Sequence, residues 1–112
     1  MVIDYIPERG DVVWLDFNSQ KGKEIKKKRP ALVISPKSYN NKTGLAIFMP
    51  FTSQVKGYPF EVSLISSEVE GVILADQVRS LDWKNRQATK ITSVSEDILQ
   101  NAISKLNILL QI

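Results

Sequence analysis

The chain contains no cysteine and no histidine. Without cysteine there can be no disulfide, no thiolate nucleophile and no zinc site built on thiolates. Without histidine the protein also lacks imidazole acid–base catalysis and the commonest ligand of transition metals. An enzyme of this composition has to work with carboxylates, lysine, arginine, tyrosine or hydroxyl groups. We therefore expect neither a metal ion nor a cofactor.

Long apolar runs are missing as well. None reaches the length of a membrane span, and the first residues lack the basic segment and apolar stretch of a secretion signal. We therefore expect a soluble, cytoplasmic protein. The chain has 112 residues, of which 43% are apolar, as is usual for globular proteins. This predicts a single domain over residues 1–112.

Positive charge is concentrated in residues 18–30. This segment has a net charge of +5, whereas the rest of the chain carries −2. Its six cations and one acid are Lys21, Lys23, Lys26, Lys27, Lys28, Arg29 and Glu24. A lone carboxylate among cations, just before an apolar strand, indicates charged chemistry on a polyanion. The alternative is a flexible loop that its lysines keep solvated, since charge runs usually have no other role.

Short apolar segments between glycine, proline and asparagine predict about six strands. They cover residues 11–17, 31–35, 45–49, 60–64, 71–74 and 88–92. Pro36 and Pro50 are expected to close the second and third strands, with a turn over residues 39–44 between them. Trp14 and Trp83 are expected in the core or at an interface. The close spacing favours a small, strongly bent sheet or a partly open barrel.

The apolar spacing changes from two residues to three or four after Ser93. Ser95 suits an N-cap, and the acids Glu96 and Asp97 follow it in the first turn. This predicts an amphipathic helix of about four turns. Its stripe comprises Ile98, Leu99, Ala102, Ile103, Leu106, Leu109 and Leu110. A stripe this broad fits either a cover for one end of a barrel with apolar surface left for a second subunit, or burial in one core.

Polar residues at strand ends are candidates for a site beside the basic segment. Thr52 and Ser53 offer hydroxyl groups, although such groups also satisfy turn backbone. Lys56 and Tyr58 place a cation beside an aromatic ring, which suits a nucleobase, but tyrosine in a Gly-Pro turn is often structural.

A third group, Asp76, Gln77 and Arg79, follows an apolar strand. On sequence alone a surface salt bridge explains it better than a function does.

Several separate segments together resemble the MazF/PemK toxin family of toxin–antitoxin systems, nearly along the whole chain and in the family's order. They are residues 10–17, Arg29-Pro30, Ser35-Pro36, residues 39–44, Pro50-Phe51-Thr52, residues 56–62 and residues 74–78. The resemblance implies a small SH3-like barrel with a C-terminal helix, and a homodimer. It also implies sequence-specific, metal-independent cleavage of single-stranded RNA. An antitoxin with an acidic, disordered tail over the RNA site is the implied partner.

The resemblance also implies site residues. The family's catalytic arginine matches Arg29, its catalytic hydroxyl matches Thr52, and the acid of its loop matches Glu24. We expect RNA binding by Lys26, Lys27, Lys28, Ser53, Lys56, Tyr58, Asp76, Gln77 and Arg79. Many members have small residues and a histidine where this chain has its three lysines, so we expect tighter and less selective RNA binding here.

These residues suit transesterification, in which the ribose 2′-OH attacks the adjacent phosphate and the 5′-oxygen leaves. The reaction needs a base, an acid and stabilisation of charge on the phosphoryl oxygens. Glu24 is the candidate base, Arg29 can hold two oxygens at once, and Thr52 can donate a hydrogen bond. Lys28 or a water could protonate the leaving oxygen. The expected products are a 2′,3′-cyclic phosphate and a 5′-OH, and the assignment of base and acid stays open.

Two other functions remain alternatives. A gyrase poison of the CcdB type resembles the same fold, but this chain ends Leu109-Leu110-Gln111-Ile112 without the Trp-Gly-Ile ending of such a toxin. A non-enzymatic RNA-binding SH3-like module would need only the basic segment.

Overall fold

A computed structural model describes residues 5–17 and 28–111. Its strands are β1 (Asp11–Asp16), β2 (Lys28–Val33), β3 (Leu45–Thr52), β4 (Glu61–Ile65), β5 (Glu70–Leu74), β6 (Arg79–Asp82) and β7 (Thr89–Ser93). Its helices are α1 (Lys37–Thr43) and α2 (Glu96–Leu110). Four of the six predicted strands agree with β1, β4, β5 and β7 to within one residue at each end. The fold is mainly β with a C-terminal helix, as predicted.

Strand β3 organises the sheet because it has three antiparallel neighbours. The strand order is β4-β5-β3-β2-β1-β7, and β6 also pairs with β3. β6 pairs with the first half of β3, whereas β5 pairs with Phe51 and Thr52 at its end. β2 pairs with the middle of β3, including Ala31 opposite Pro50. This exchange of partners divides β3 between two sheets and places its last residues where the two sheets meet.

The prediction that Pro50 ends the third strand is wrong, because β3 continues to Thr52. Proline is usually excluded from central strands since it cannot donate a ladder hydrogen bond. Here the register with β6 ends at Phe48 and the register with β5 begins at Phe51. On this side of β3, neither β6 nor β5 has a residue opposite Pro50. The missing N–H of the proline therefore costs no ladder hydrogen bond with these two strands. The second strand also differs from prediction: it begins at Lys28 and ends at Val33, before Pro36.

The predicted turn over residues 39–44 is also wrong, because these residues belong mostly to helix α1. Gly44 ends the helix at φ 74°, and its N–H donates to the carbonyl of Asn40 at 3.0 Å. Asn40 is fully buried, and its side-chain amide donates to the carbonyls of Pro7 and Ser35 at 2.8 and 3.1 Å. These long-range hydrogen bonds stabilise a polar helix that apolar spacing could not reveal.

Strand β6 was not predicted, since only Leu81 within it is buried and the other residues are polar. It forms because Leu45–Phe48 of β3 offers it a partner.

The two tryptophans differ in burial. Trp83 is buried, as expected of a core residue, and its indole N–H donates to the carbonyl of Asn40 at 3.0 Å. Trp14 is 41% exposed, so it is not a core residue.

Helix α2 begins as predicted. Ser95 is its N-cap, and the Ser95 hydroxyl accepts the N–H of Ile98 at 3.3 Å. Leu99 and Ala102 are buried in a cluster with residues of β1, β2, β3, β4 and β5, so the helix covers this part of the core. A second cluster lies under β1, β2, β3 and β6. Among the described residues, no helix is long and apolar enough to cross a membrane.

Candidate active site

Arg29 and Thr52 reach one recess from neighbouring strands. The antiparallel register of β2 and β3 ends with Ala31 opposite Pro50, and Arg29 and Thr52 each lie two residues beyond that pair on their own strands. Both residues line an open recess of about 360 Å³, as does Ser53. Arg29 is exposed and Thr52 is half-buried. Both predicted catalytic residues, one with a cationic group and one with a hydroxyl, therefore line the same recess at the end of β3.

The oxygen of the Thr52 hydroxyl is held by a hydrogen bond from the backbone. This oxygen accepts the backbone N–H of Gln54 at 3.1 Å. A threonine hydroxyl has one proton to donate and two lone pairs to accept with. The N–H of Gln54 takes up one lone pair, and no acceptor for the hydroxyl proton is found among residues 5–17 and 28–111, so these residues leave the proton to a ligand in the recess. The geometry suits donation to a phosphoryl oxygen held by Arg29.

A second recess of about 250 Å³ adjoins the first, and Thr52 and Gln54 line both. Besides Thr52, four residues that the sequence indicated line the second recess, namely Lys56, Tyr58, Asp76 and Gln77. The Tyr58 hydroxyl donates to the Asp76 carboxylate at 2.7 Å. This hydrogen bond is the largest reason that the pKa of Tyr58 is raised above its ordinary value of 10.0.

The segment over residues 53–60, between β3 and β4, is held by side chains from outside it. The two oxygens of the Glu61 carboxylate accept the N–H groups of Lys56 and Gly57, each at 2.9 Å. The ammonium group of Lys105, in α2, donates to the carbonyl of Pro59 at 2.7 Å. These bonds give the edge of the second recess a defined backbone before any ligand binds, which lowers the cost of ordering it.

Two other predicted RNA-binding residues lie outside both recesses. Arg79 is exposed, and its guanidinium lies 5.4 Å from the centroid of the Phe17 ring, in a cation–π contact. Lys28 is exposed at the start of β2, opposite Asp16 of β1. Side chains alternate along a strand, so Lys28 and its neighbour Arg29 point to opposite faces. Glu24, Lys26 and Lys27 lie outside the described residues.

Three residues of the recesses were not found from the sequence. Gln54 lines both recesses, Glu61 lines the second, and Glu70 lines the first together with Arg29. Glu70 is exposed, and its side chain makes no hydrogen bond or ion pair within residues 5–17 and 28–111. The pairing of β5 with the end of β3 brings Glu70 to this position. No local sequence signal marks that pairing.

The donor set suits a phosphodiester better than a metal ion. The described part of the chain has no group of three or more acidic side chains close enough to hold a metal. The first recess instead combines a guanidinium, two hydroxyls and an amide, all of which can donate to phosphate oxygens. The adjoining second recess, with its tyrosine, amide, lysine and carboxylates, offers donors and acceptors for a nucleobase.

Comparisons with known proteins show which family this chain is similar to. The family model described as "PemK-like, MazF-like toxin of type II toxin-antitoxin system" matches residues 8–110. The chain is 50% identical over 110 residues to the endoribonuclease toxin MazF of Escherichia coli K12, covering 98% of this chain and 99% of the relative. It is 30% identical to the endoribonuclease toxin ChpB of the same strain, covering 88% of this chain and 90% of ChpB.

Solved structures show the same fold. The crystal structure of MazE-MazF (Form-II) from Deinococcus radiodurans contains a chain with 48% sequence identity and a TM-score of 0.90, covering 97% of this chain and 99% of the other. An endoribonuclease from a mycobacterial species has a TM-score of 0.77 at 20% identity, covering 96% of this chain and 94% of the other. At that identity the likeness concerns the fold alone. The predicted fold class is confirmed.

Proposed function

Because the chain belongs to the PemK-like, MazF-like toxins of type II toxin–antitoxin systems, we propose that it is a sequence-specific endoribonuclease. Its substrate is single-stranded RNA, and cleavage of messenger RNA inhibits translation. The reaction needs no metal ion and leaves a 2′,3′-cyclic phosphate and a 5′-OH. This activity places the protein in the cytoplasm, where messenger RNA is translated. Residues 1–112 act as one domain.

The observation that carries the proposal is the shared recess of Arg29 and Thr52. A phosphodiester that enters it meets a guanidinium able to bind two oxygens and a hydroxyl whose proton is free to donate. Negative charge builds up on these oxygens as the 2′-oxygen attacks. Donors already in position stabilise the transition state without reorganising, which is usually the largest contribution to catalysis.

Glu24 is the proposed base that takes the 2′ proton, and Lys28 or a water supplies the proton of the leaving 5′-oxygen. Glu24 lies outside the described residues, so its role does not rest on geometry. Lys28 lies on the opposite face of β2 from Arg29, which favours the water as the acid. The proposal for Glu24 rests on its being the single acid among the cations of residues 18–30. Surrounding positive charge favours its ionised, basic form.

Substrate binding extends from the first recess into the second. Lys26, Lys27 and Lys28 contact the phosphate backbone, and Ser53 adds a donor beside Thr52. Lys56, Tyr58, Asp76 and Gln77 contact bases through the second recess. Phosphate contacts position the strand, whereas base contacts specify the sequence. Arg79 lies outside the recesses, so its proposed RNA contact is to the strand beyond them.

Two protein partners belong to the proposal. The first is an antitoxin whose acidic, disordered tail covers the RNA site, because an acidic segment competes with RNA for the same cations. The second is another copy of the chain, in a homodimer.

The test is incubation of the purified protein with mixed-sequence RNA in EDTA. The expected result is cleavage at a small set of sequences, with products that end in 2′,3′-cyclic phosphate and begin with 5′-OH. An RNA with a 2′-deoxy sugar at the scissile position is the matched control and should stay intact. Binding without cleavage would favour the non-enzymatic RNA-binding module. Inhibition of a gyrase without any effect on RNA would favour the CcdB type of poison.

A further inference from the structure

Gly71 lies against the backbone of Thr52 more closely than any other residue type could. A Cβ atom at Gly71 would lie 2.6 Å from the carbonyl oxygen of Thr52 and 3.2 Å from its carbonyl carbon. Real Cβ atoms essentially never approach within 3.0 Å of such an atom. Gly71 also has φ +146°, a conformation that side chains disfavour. Strand β5 therefore reaches the end of β3 only because residue 71 has no side chain.

This close approach occurs at the residue whose hydroxyl lines the Arg29 recess. Val72, next to Gly71, pairs in register with Thr52, and Glu70, on its other side, lines the same recess. Two residues further along the chain, the N–H of Gln54 donates a hydrogen bond to the hydroxyl oxygen of Thr52. The backbone of β5 and this N–H thus hold the backbone and the hydroxyl oxygen of Thr52 in place.

We propose that Gly71 is a positioning residue for the reaction, which holds the Thr52 hydroxyl where it can donate to the phosphate bound by Arg29. This inference rests on the proposed endoribonuclease function. Any Cβ at residue 71 pushes the Thr52 carbonyl, and with it the hydroxyl, by several tenths of an ångström. Displacements of about one ångström in a catalytic group can cost about a hundredfold in rate.

The first experiment compares Gly71→Ala with the parent protein by steady-state kinetics of RNA cleavage, which give kcat and KM. We expect kcat to fall about ten- to a hundredfold, with KM changed much less, because the cations that bind RNA are not displaced. Gly44→Ala is the matched control. Gly44 also has a positive φ, +74°, but nothing lies within 4 Å of the added Cβ. It should lower the melting temperature without lowering kcat.

A double-mutant cycle with Thr52→Val separates positioning from general damage. If Gly71 acts through the Thr52 hydroxyl, adding Gly71→Ala to Thr52→Val should reduce kcat by less than about threefold further, because coupled residues are not additive. Equal losses from Gly71→Ala in both backgrounds would overturn the proposal. So would a kcat for Gly71→Ala equal to that of the parent.

A second pair of variants tests the premise of the proposal, that cleavage depends on how the Thr52 hydroxyl is held, even if Gly71→Ala fails to fold. Gln54→Pro removes the N–H that holds the Thr52 hydroxyl, whereas Gln54→Ala removes the same side chain but keeps the N–H. Since residue 54 is exposed and lies outside the strands, both variants should fold. Loss of one hydrogen bond predicts kcat about two- to tenfold lower for Gln54→Pro than for Gln54→Ala. Equal kcat values would overturn the positioning of Thr52.

Failure of this inference can be told from failure of the proposed function. If the parent protein does not cleave RNA, the proposed function is wrong. If the parent cleaves and the cycle is additive, the function stands and the role of Gly71 is wrong.

Discussion

Single residues contribute to the candidate site in two different ways. Arg29 supplies charge from an exposed position and contributes no apolar surface to either core cluster. Thr52 is half-buried and supplies one proton whose direction depends on its neighbours. Substitutions of the two residues should therefore differ in cost to cleavage but spare the fold.

Arg29→Ala should reduce cleavage about a hundred- to a thousandfold, the usual cost of removing one donor that stabilises transition-state charge. The melting temperature should be unchanged. Single-turnover cleavage and a thermal melt measure the two effects. Arg29→Lys is the control, and it should recover only part of the activity, since lysine keeps the charge but cannot bind two oxygens as a planar fork. Cleavage by Arg29→Ala at more than about a tenth of the parental rate would refute the assigned role.

Thr52→Val should lower the rate less than Arg29→Ala, because a neutral hydroxyl donates a weaker hydrogen bond than a guanidinium. Valine keeps the branched shape of threonine, so the packing of β3 should persist. The same single-turnover assay measures the loss. Parental activity in this variant would remove Thr52 from the site.

Glu70→Gln should strengthen RNA binding about two- to fivefold at low salt, because a carboxylate in the Arg29 recess repels a phosphodiester. The difference should disappear as salt screens the charges. Binding of an uncleavable 2′-deoxy analogue measures it without interference from turnover. Weaker binding would show that Glu70 holds the substrate. If kcat of Glu70→Gln no longer fell at low pH, as expected when the general base has been removed, Glu70 rather than Glu24 would be the base.

At the scale of elements, a buried acid ties the N-terminal segment to two strands. Asp11 of β1 is 5% exposed and accepts hydrogen bonds from the Tyr5 hydroxyl and, at 3.1 Å, from the N–H of Glu8. Ser93 of β7 donates to the same carboxylate at 3.3 Å, and the Lys90 ammonium lies 3.5 Å from it. The network joins residues 5–8 to the edge of the sheet.

Burial, followed by the hydrogen bond to Asp11, raises the pKa of Tyr5 well above its ordinary value. A folded-state pKa above the unfolded one means that the native state binds the proton more tightly. The resulting stability is fully present below about pH 10 and is lost as the pH rises further. Tyr5→Phe should cost roughly 1–3 kcal/mol at neutral pH, because the charged Asp11 carboxylate loses one of its donors while it keeps those of Glu8, Ser93 and Lys90.

The melting temperature of Tyr5→Phe should also fall less steeply above pH 10 than that of the parent, as measured by thermal melts from pH 8 to 11. The two proteins differ only in the Tyr5 hydroxyl, so the difference between the two curves reports on Tyr5. Parallel curves would contradict the role of Tyr5.

Replacement of Lys26, Lys27 and Lys28 together by serine tests the basic segment. Each cation that neutralises a phosphate of a single strand contributes about −0.7 to the slope of log K against log salt. The triple variant should flatten the slope by up to about two units and weaken binding to all sequences alike. The measurement is a salt titration of binding to the 2′-deoxy analogue. An unchanged slope would show that the lysines are only solvated.

At the scale of the whole molecule, the apolar stripe of α2 is only partly covered. Within the stripe Leu99 and Ala102 are buried, whereas Leu109 and Leu110 are 46% and 64% exposed, and Ile108, outside the stripe, is 64% exposed. Adjacent exposed apolar residues at a helix end suit a protein interface. We therefore expect a homodimer at micromolar concentration, measured as a mass by light scattering. A monomer would refute this, and Leu110→Glu should weaken a dimer that uses this end of the helix.

Much of the fold could be predicted because its signals are local. Alternation of apolar residues marked β1 and β4, and the Ser95 cap with its acidic first turn marked the start of α2. Helix α1 and strand β6 could not be predicted, because their stability comes from contacts far along the chain. Asn40 in α1 is held partly by Pro7, and β6 forms against β3.

The candidate site divides in the same way. The residue types alone excluded histidine and thiolate chemistry and showed that the cations are concentrated in residues 18–30. Resemblance to a family then indicated Arg29 and Thr52. Three relations could be seen only in the tertiary structure. Glu70 lines the recess of Arg29 and Thr52, Arg79 contacts Phe17 outside it, and Gly71 lies close to the backbone of Thr52. These relations depend on which strands pair and in what register. Pairing is a property of the folded sheet, since residues far apart in sequence become neighbours only when the chain closes on its core.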